Sequence, residues 1–408
     1  MTPQVGAAAT PPDQLNNEQP ATKSTHGWVA PGFERVAEAF EQNFTTREEV
    51  GAAFAATLDG RPVVDLWGGV ADSSTGRPWR MDTVQLIFSG TKGLTALCIA
   101  ILLDRGRLAL EQPVSAYWPE FAAEGKEAIT VSEIVSHRGR LPGMRTPLSE
   151  DDLLDPPRMA ALLAAQAPET DPRAAFLYHS LTYGWLCDQL IRRVDGRSVG
   201  RFLAEEVVEP LGLELWIGLP EGLEQRVAVL QYAHDWGQTA WFQADPFPGD
   251  DLWASILLNP PFMLKEPMLW NLPAWHAAEI AAGNAIGTAR SIARLYGALA
   301  CGGAIDGVRL LSAETLALAC TPLVSGTHPF IGEPMSFGVG FALQTADGKF
   351  GPADIAFGHG GGGGSIHGAW THERVGFSYA MNELRDDPAG DGRPQALLDA
   401  LHTCVVGK

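Results

Sequence analysis

Basic residues, cysteines and long hydrophobic runs are all scarce in this sequence. Only 29 lysines and arginines stand against 48 aspartates and glutamates in 408 residues, so the formal net charge at pH 7 is -19. Because such a charge repels phosphate backbones and anionic lipid, we expect neither nucleic acid nor a membrane as a partner. The longest uncharged helical run, Leu94 to Leu103, is about half of the roughly 18 to 20 residues that a membrane span needs.

The five cysteines are odd in number, and no two of them form a C-x-x-C pair. This pattern argues against a disulfide framework and a zinc site, and it favours a reducing, cytoplasmic location. The first thirty residues contain no basic start followed by an apolar segment, so no secretory signal is predicted. Their composition, rich in Ala, Pro, Thr, Gln and Asn, predicts a disordered tail over residues 1–30.

Strand-like segments lie near both ends of the remaining chain. Ala52 to Leu58 and Val63 to Trp67 are apolar runs whose short connection opens with Asp59-Gly60, a favoured turn pair. Further strands are predicted at Ser336 to Gln344, Ser365 to Trp370 and Val375 to Met381. The chain between the two groups has a mainly helical pattern. We therefore predict an α+β fold in which both chain ends form one antiparallel sheet, with flanking helices and an inserted helical region.

The sheet and the helical region define two predicted domains. Residues 31–75 and 325–408 form the sheet domain, and residues 76–324 form the mainly helical domain. Within the latter, residues 231–275 resist a secondary-structure assignment and hold five tryptophans among Pro, Gly and Asp. Since exposed tryptophans are costly, we expect this aromatic excursion to line an apolar pocket, packing in the core being the alternative. The predicted pocket residues are Trp236, Trp241 and Trp253.

The segment Ser89-Gly90-Thr91-Lys92 is the first candidate for chemistry. Ser89 and Lys92 stand one helical turn apart at the start of an apolar helix, so the amine can reach the hydroxyl. The free N–H groups and the dipole at a helix N-terminus stabilise an anion that forms on a substrate carbonyl. A lysine in such a helix is expected to have a partner or a lowered pKa. The alternative is that Ser89 only caps the helix.

The second candidate is Tyr178-His179-Ser180, just before a predicted helix. A phenol acts as a general base only when a nearby cation lowers its pKa from about 10, and Lys92 could supply that cation. His179 is a competing base, although on a strand-like turn it would point away from Tyr178. Packing of Tyr178 at the helix start is the alternative that this segment alone leaves open.

Five consecutive glycines, Gly360 to Gly364, follow His359. Glycines let a backbone approach a ligand closely and point its N–H groups into a cavity. The run lacks the Gly-Lys-Ser/Thr ending of a phosphate-binding loop, and apolar strands flank it. We interpret it as a strand edge that lines a site. The nearby histidines have no acidic companions, so no metal site is expected.

Three motifs thus occur in a defined order: Ser89-x-x-Lys92, Tyr178-x-Ser180 and His359-Gly360-Gly361. In this order and at these separations they resemble the motifs of the serine β-lactamase and penicillin-binding-protein superfamily. More closely, the chain resembles the class C β-lactamase-like esterases called family VIII carboxylesterases. The similarity extends from about residue 31 to the last helix. It implies the α+β fold of that superfamily and a reaction without a cofactor or a metal.

The resemblance implies a role for each motif. Ser89 would be the acylated nucleophile, and Lys92 would keep the proton of the site mobile. Tyr178 would be the base that activates Ser89 and later the hydrolytic water. The backbone N–H groups of Ser89 and Gly362 would form the oxyanion hole, although the glycine run leaves this register open by one residue.

Two positions depart from the β-lactamase pattern. Ser180 stands where those enzymes carry asparagine, and His359, mostly neutral at pH 7, stands where they carry lysine. Both changes are expected to weaken the binding of a β-lactam. Ser180 and His359, with Gly360 and Gly361, are the remaining predicted substrate-binding residues. The sequence offers no interpretation of Arg140.

We therefore expect a serine hydrolase that cleaves short-chain carboxylic esters, with a small-molecule ester as its partner and no cofactor. A β-lactamase, a D-amino-acid peptidase or amidase, and an acyltransferase with the same site are the alternatives. A non-catalytic binding protein on this fold is a further one. The sequence leaves the oligomeric state open.

Overall fold

Strands from both ends of the chain and helices from its middle make up the structure. The computed structural model describes residues 25–261, 267–388 and 390–407. The strands of this part of the chain are β1 (Thr25–Val29), β2 (Gly51–Leu58), β3 (Arg61–Asp72), β4 (Arg77–Pro78), β5 (Gln85–Leu86), β6 (Leu215–Trp216), β7 (Gln231–Tyr232), β8 (Ile286–Gly287), β9 (Ala304–Ile305), β10 (Val308–Arg309), β11 (Val324–Thr327), β12 (Pro334–Phe337), β13 (Ala342–Leu343), β14 (Ala356–Gly360), β15 (Ile366–Trp370), β16 (Val375–Met381) and β17 (Glu383–Leu384).

The α-helices of the same residues are α1 (Glu34–Thr46), α2 (Gly90–Asp104), α3 (Val131–Val135), α4 (Glu150–Leu153), α5 (Pro156–Ala165), α6 (Thr182–Asp195), α7 (Val199–Leu203), α8 (Glu209–Leu211), α9 (Asp251–Leu257), α10 (Pro273–Ala277), α11 (Ala289–Ala300), α12 (Ala313–Ala319) and α13 (Gly392–Val406). Short 3₁₀-helices span Val114–Ala116, Pro119–Gly125, Pro172–Phe176, Glu224–Arg226 and Leu269–Asn271, and a π-helical turn spans Ala204–Val208. None of the described helices is long and apolar enough to cross a membrane.

One ten-stranded antiparallel sheet joins the two ends of the chain. Its order is β1-β3-β2-β16-β15-β14-β13-β12-β11, with β4 added beside β3. In the interior of the sheet β2 pairs with β16, and Phe54 lies opposite Tyr379. The predicted α+β fold, with an antiparallel sheet formed by both chain ends, is confirmed.

β2 and β3 form the predicted hairpin. Asp59 and Gly60 have φ values of 50° and 74°, the left-handed conformation that a two-residue hairpin turn requires. By contrast, the strand predicted from Ser336 to Gln344 is split into β12 and β13. Gly340 lies between them with a φ of 78°, and a Cβ there would stand 2.1 Å from the Tyr183 hydroxyl. The chain turns where only glycine fits.

The disordered tail predicted for residues 1–30 extends too far. Residues Thr25–Val29 form β1, which pairs with β3 so that Trp28 lies opposite Asp65. β1 is an edge strand whose three middle residues are exposed, so it lacks the apolar alternation that marks a strand in a sequence. Residues 1–24 lie outside the described residues.

Helices cover both faces of the sheet. α11 packs on one face, where a Cβ on Gly376 of β16 would stand 2.1 Å from the Gly297 nitrogen. Tyr379, three residues further along β16, points to the opposite face and hydrogen-bonds Glu49. α11 therefore packs on the sheet although it falls in the segment 76–324, predicted to be the helical domain. The division into two domains stays a prediction.

A buried ion pair links the start of β2 to the last helix. The Arg393 side chain is 1% exposed, and its Nη1 donates to Glu49 Oε1 at 2.9 Å. Its Nη2 donates to Asp391 Oδ2 at 2.7 Å, and the Tyr379 hydroxyl donates to the second Glu49 oxygen. Burial raises the pKa of Glu49, and the Arg393 charge opposes that shift. Residues more than 300 positions apart are thus held by one charged cluster.

We expect Glu49→Gln to lower the free energy of unfolding by about 3 kcal/mol, because removing one partner leaves a buried guanidinium charge poorly compensated. Urea denaturation measures this change. The matched control is Glu48→Gln at the adjacent exposed carboxylate, which lies 3.9 Å from Arg385 and should cost almost nothing. Equal stability of the two variants would contradict the role of the buried pair.

Candidate active site

Ser89 occupies the turn that leads from β5 into α2. Phe88, directly before it, has a φ of 46°, a left-handed conformation that is strained for a side chain of this size. Ser89 precedes the first residue of α2, but its hydroxyl makes no capping hydrogen bond to the helix. The alternative that Ser89 only caps the helix is therefore wrong, and the hydroxyl is available for chemistry.

Lys92 lies in the first turn of α2 and is fully buried. Its Nζ is 3.1 Å from Ser89 Oγ and donates to the Ala282 carbonyl at 2.9 Å. No carboxylate of the described residues pairs with it. Because the charge would be buried without a counter-ion, the pKa of Lys92 lies well below its usual value. A neutral amine in this position can accept the proton of the Ser89 hydroxyl.

Tyr178 lies against this pair, with Lys92 Nζ 4.9 Å from the centre of its ring. The ring stacks on Phe337. Burial raises the pKa of Tyr178, and the nearby Ser89 hydroxyl opposes the shift only in part. The expectation that Lys92 lowers the pKa of Tyr178 is therefore wrong for the resting protein. Burial disfavours both charges at once, so the phenol keeps its proton while the amine tends to lose its own.

His179 points away from the site, as its place beside Tyr178 predicted. Its Nδ1 donates to the Leu177 carbonyl at 2.6 Å, and its Nε2 accepts the Leu141 N–H at 3.2 Å. Burial lowers the pKa of His179 to about 4. Since backbone groups occupy both ring nitrogens, this histidine organises the loop and cannot serve as the base.

The glycine run forms a turn after β14. The Gly361 N–H donates to the Ser365 carbonyl at 2.8 Å. Within the described chain no carbonyl accepts the N–H of Ser89 or of Gly362, and both residues line one cavity. A Cβ on Gly362 would stand 3.6 Å from the Phe242 ring, so this glycine faces the cavity. The N–H of Gly362, unlike that of Gly361, thus has no backbone acceptor within the described chain.

A cavity of about 770 Å³ opens beside the Ser89 hydroxyl. The structure gathers most of the predicted site residues in its wall: Ser89, Tyr178, Ser180, His359, Gly360, Gly361, Gly362, Trp236 and Trp241. Lys92 lies behind Ser89. Ring contacts join Tyr178 to Trp241 and Trp236 to Phe242, so two aromatic pairs line the wall.

Trp253 was predicted to line the pocket, and this prediction is wrong. The residue is 1% exposed and packs against Trp241, Phe247 and Phe330 in a small cluster apart from the main core. α9 turns its indole into that cluster, and the orientation of a short helix cannot be read from the spacing of tryptophans. Trp270 of the same excursion lines the cavity instead.

Among the cavity residues not predicted from the sequence are Phe88, Phe337 and Lys349, whereas Phe242 and Trp270 belong to the aromatic excursion that was expected to line a pocket. Phe88 belongs to the segment of the first motif, and its place directly before Ser89 was a usable signal. Phe242 follows Trp241, so the aromatic density of the excursion also pointed toward it. Phe337 and Lys349 reach the cavity only through the pairing of distant strands, and nothing in their local sequence marks them.

His359 is 4% exposed, and its Nδ1 donates to the Gly360 carbonyl at 2.7 Å. Burial holds the pKa of His359 well below its usual value. The imidazole is therefore neutral at pH 7 and supplies no cation to a substrate.

Arg140 ties two loops together outside the cavity. Its Nη1 donates to the Glu169 carbonyl at 3.1 Å, and the Glu169 N–H donates to the Arg140 carbonyl at 2.8 Å. This reciprocal contact explains a residue that the sequence alone did not.

Comparison with known proteins identifies relatives along nearly the whole chain. The family model described as Beta-lactamase matches residues 36–402. The esterase/beta-lactamase LipL of Mycobacterium tuberculosis is 35% identical over 383 residues, which cover 88% of this chain and 83% of LipL.

Solved structures agree with the sequence matches. A family VIII carboxylesterase superposes with a TM-score of 0.84 at 38% identity, covering 93% of this chain and 99% of the other. A penicillin-binding protein homologue from Caulobacter crescentus has the same TM-score of 0.84 at 37% identity and the same coverage of 93% and 99%. The family resemblance drawn from the three motifs is confirmed.

We expect Lys92→Met to abolish turnover and to change how stability depends on pH. The unfolded chain holds a proton on this lysine up to about pH 10.4, whereas the folded chain releases it at lower pH. The wild type therefore gains stability as the pH rises toward 10, and the variant lacks this gain. Urea unfolding at pH 7 and pH 10 gives the free energy of unfolding of both proteins. Relative to the wild type, the variant should be less stable at pH 10 than at pH 7. A difference independent of pH would contradict the lowered pKa.

Proposed function

The chain belongs to the Beta-lactamase family, whose members are hydrolytic enzymes, and we propose that it cleaves short-chain carboxylic esters through an acyl-enzyme on Ser89. The observation that carries the proposal is the Ser89 hydroxyl, 3.1 Å from a buried amine and exposed to the cavity. The relatives support it, since LipL is named an esterase and one structural neighbour is a family VIII carboxylesterase.

In the proposed reaction Ser89 Oγ attacks the ester carbonyl carbon while neutral Lys92 accepts its proton. The N–H groups of Ser89 and Gly362 stabilise the negative charge on the carbonyl oxygen. The carbon–oxygen bond then breaks, and the alcohol leaves with a proton from Tyr178, which recovers one from Lys92. Water attacks the acyl-enzyme through the same base system, and the acid and free Ser89 are released.

The cavity wall provides the contacts that hold the substrate. Ser180 and the Gly360-Gly361 edge border the reacting carbonyl, and His359 supports them as a neutral residue. The rings of Trp236 and Trp241 offer apolar surface to the acyl or alcohol group. Such a wall suits esters without a strong charge near the bond that is cut.

β-Lactam hydrolysis is the second candidate, because the name of LipL includes both activities. A β-lactam carries a carboxylate beside the amide bond, and neutral His359 offers that group no cation. Losing a charge-assisted contact costs roughly 1.5 to 3 kcal/mol. Esters are therefore proposed as the substrates in preference to β-lactams. An amidase or an acyltransferase would use the same residues, and no contact of the site favours either.

We expect Ser89→Ala to abolish ester turnover and labelling by a fluorophosphonate probe while the circular dichroism spectrum is kept. The matched control is Ser365→Ala, which should still be labelled. Ser365 also lies in the cavity wall, but no amine contacts its hydroxyl among the described residues. Labelling of Ser365 in the intact protein, detected by peptide mass spectrometry, would overturn the assignment of the nucleophile.

We expect kcat/KM for a short-chain neutral ester to exceed that for a cephalosporin by about ten- to a hundredfold or more, because the carboxylate contact is missing. His359→Lys should narrow this gap by restoring a cation. Steady-state kinetics on both substrates measures it. Comparable values in the wild type would favour a β-lactamase over an esterase.

A further inference from the structure

One part of the cavity wall comes from the loop between β13 and β14, outside the three motifs. Lys349 of this loop is exposed, and its Cε lies 3.5 Å from the point where a Cβ on Gly360 would stand. No carboxylate among the described residues pairs with its ammonium group. Its charge reaches the site, since it contributes to the lowered pKa of His359. An uncompensated cation therefore stands beside the strand that ends at the oxyanion turn.

Three other charged residues of the cavity wall have hydrogen-bonded partners. Asp386 accepts hydrogen bonds from the Thr239 N–H and hydroxyl, and Glu333 accepts one from Trp241 Nε1. Arg385 already donates to a glutamate. Since the whole chain is strongly acidic, an anion that enters the cavity is repelled from most of its wall and attracted at one point.

We propose that Lys349 forms a subsite for a carboxylate carried by the acyl or the alcohol part of the ester. This inference rests on the proposed function and adds a substrate class to it. Two residues of chain span at most about 7 Å, so a carboxylate beside Gly360 lies within roughly that distance of a carbonyl oxygen at the Gly362 N–H. A glutaryl-like chain has this reach. The ester bond remains at Ser89, and only the distant end of the substrate contacts Lys349.

Two pairs of substrates distinguish a carboxylate on the acyl part of the ester from one on the alcohol part. The first pair is 4-nitrophenyl hydrogen glutarate and its methyl ester, and the second is the butyrate ester of 4-hydroxybenzoate and its methyl ester. Within each pair only the charge of the tail differs. The variants are Lys349→Met and, as a matched control, Arg309→Met, which removes the same charge from an exposed residue of β10 outside the cavity.

The measured quantity is the kcat/KM of the acid divided by the kcat/KM of its methyl ester. We expect Lys349→Met to lower this ratio about fivefold in one of the two pairs. The pair that responds identifies the side that carries the carboxylate. About 0.5 M salt should remove most of the effect, and Arg309→Met should leave the ratio as in the wild type. Unchanged ratios in Lys349→Met, with normal turnover of the neutral esters, would overturn this inference alone. A wild type that hydrolyses none of the four esters would overturn the proposed function as well.

Discussion

Burial of a single amine determines how the site is built. α2 is buried along nearly its entire length, and among the described residues the Lys92 amine hydrogen-bonds only the Ser89 hydroxyl and one carbonyl of segment 281–285. Thr91 and Thr95 of the same helix bond to the backbone of that segment. Three polar side chains thus fasten one stretch of chain behind Ser89. This attachment keeps the amine in place without a counter-ion, and the missing counter-ion favours the unprotonated amine, which is free to accept a proton.

The site forms where three separately built pieces of the molecule meet. Ser89 comes from the start of α2, Tyr178 from the segment before α6, and Gly362 from a turn of the sheet. The turn approaches Ser89 closely because Gly361 has no side chain: a Cβ there would stand 2.3 Å from the Ile87 carbonyl. The spacing of the Ser89 and Gly362 N–H groups therefore depends on how the sheet packs against α2, and not on any local motif.

The contrast between local and long-range contacts explains which features could be predicted from the sequence. The turn at Asp59-Gly60 and the reach of Lys92 toward its serine depend on neighbouring residues, so local rules were sufficient. The strand β1 depends on pairing with a distant edge, and the burial of Trp253 depends on the direction of α9. The resting protonation of Tyr178 depends on burial by residues far away in the chain, such as Phe337. Long-range packing decided each feature that local patterns missed.

The cluster around Trp253 is separate from the main core, yet cavity residues such as Trp241 pack against it. Part of the wall is thus held by apolar contacts outside the main core, among them contacts with Phe330 and Ile331 of the connection between β11 and β12. A unit of this kind can open by local unfolding while the rest of the molecule stays folded. Substitutions in this cluster can also change its local stability. Substitutions inside the cluster can therefore change the apolar wall of the cavity while the Lys92 amine keeps its hydrogen bonds to Ser89 and Ala282.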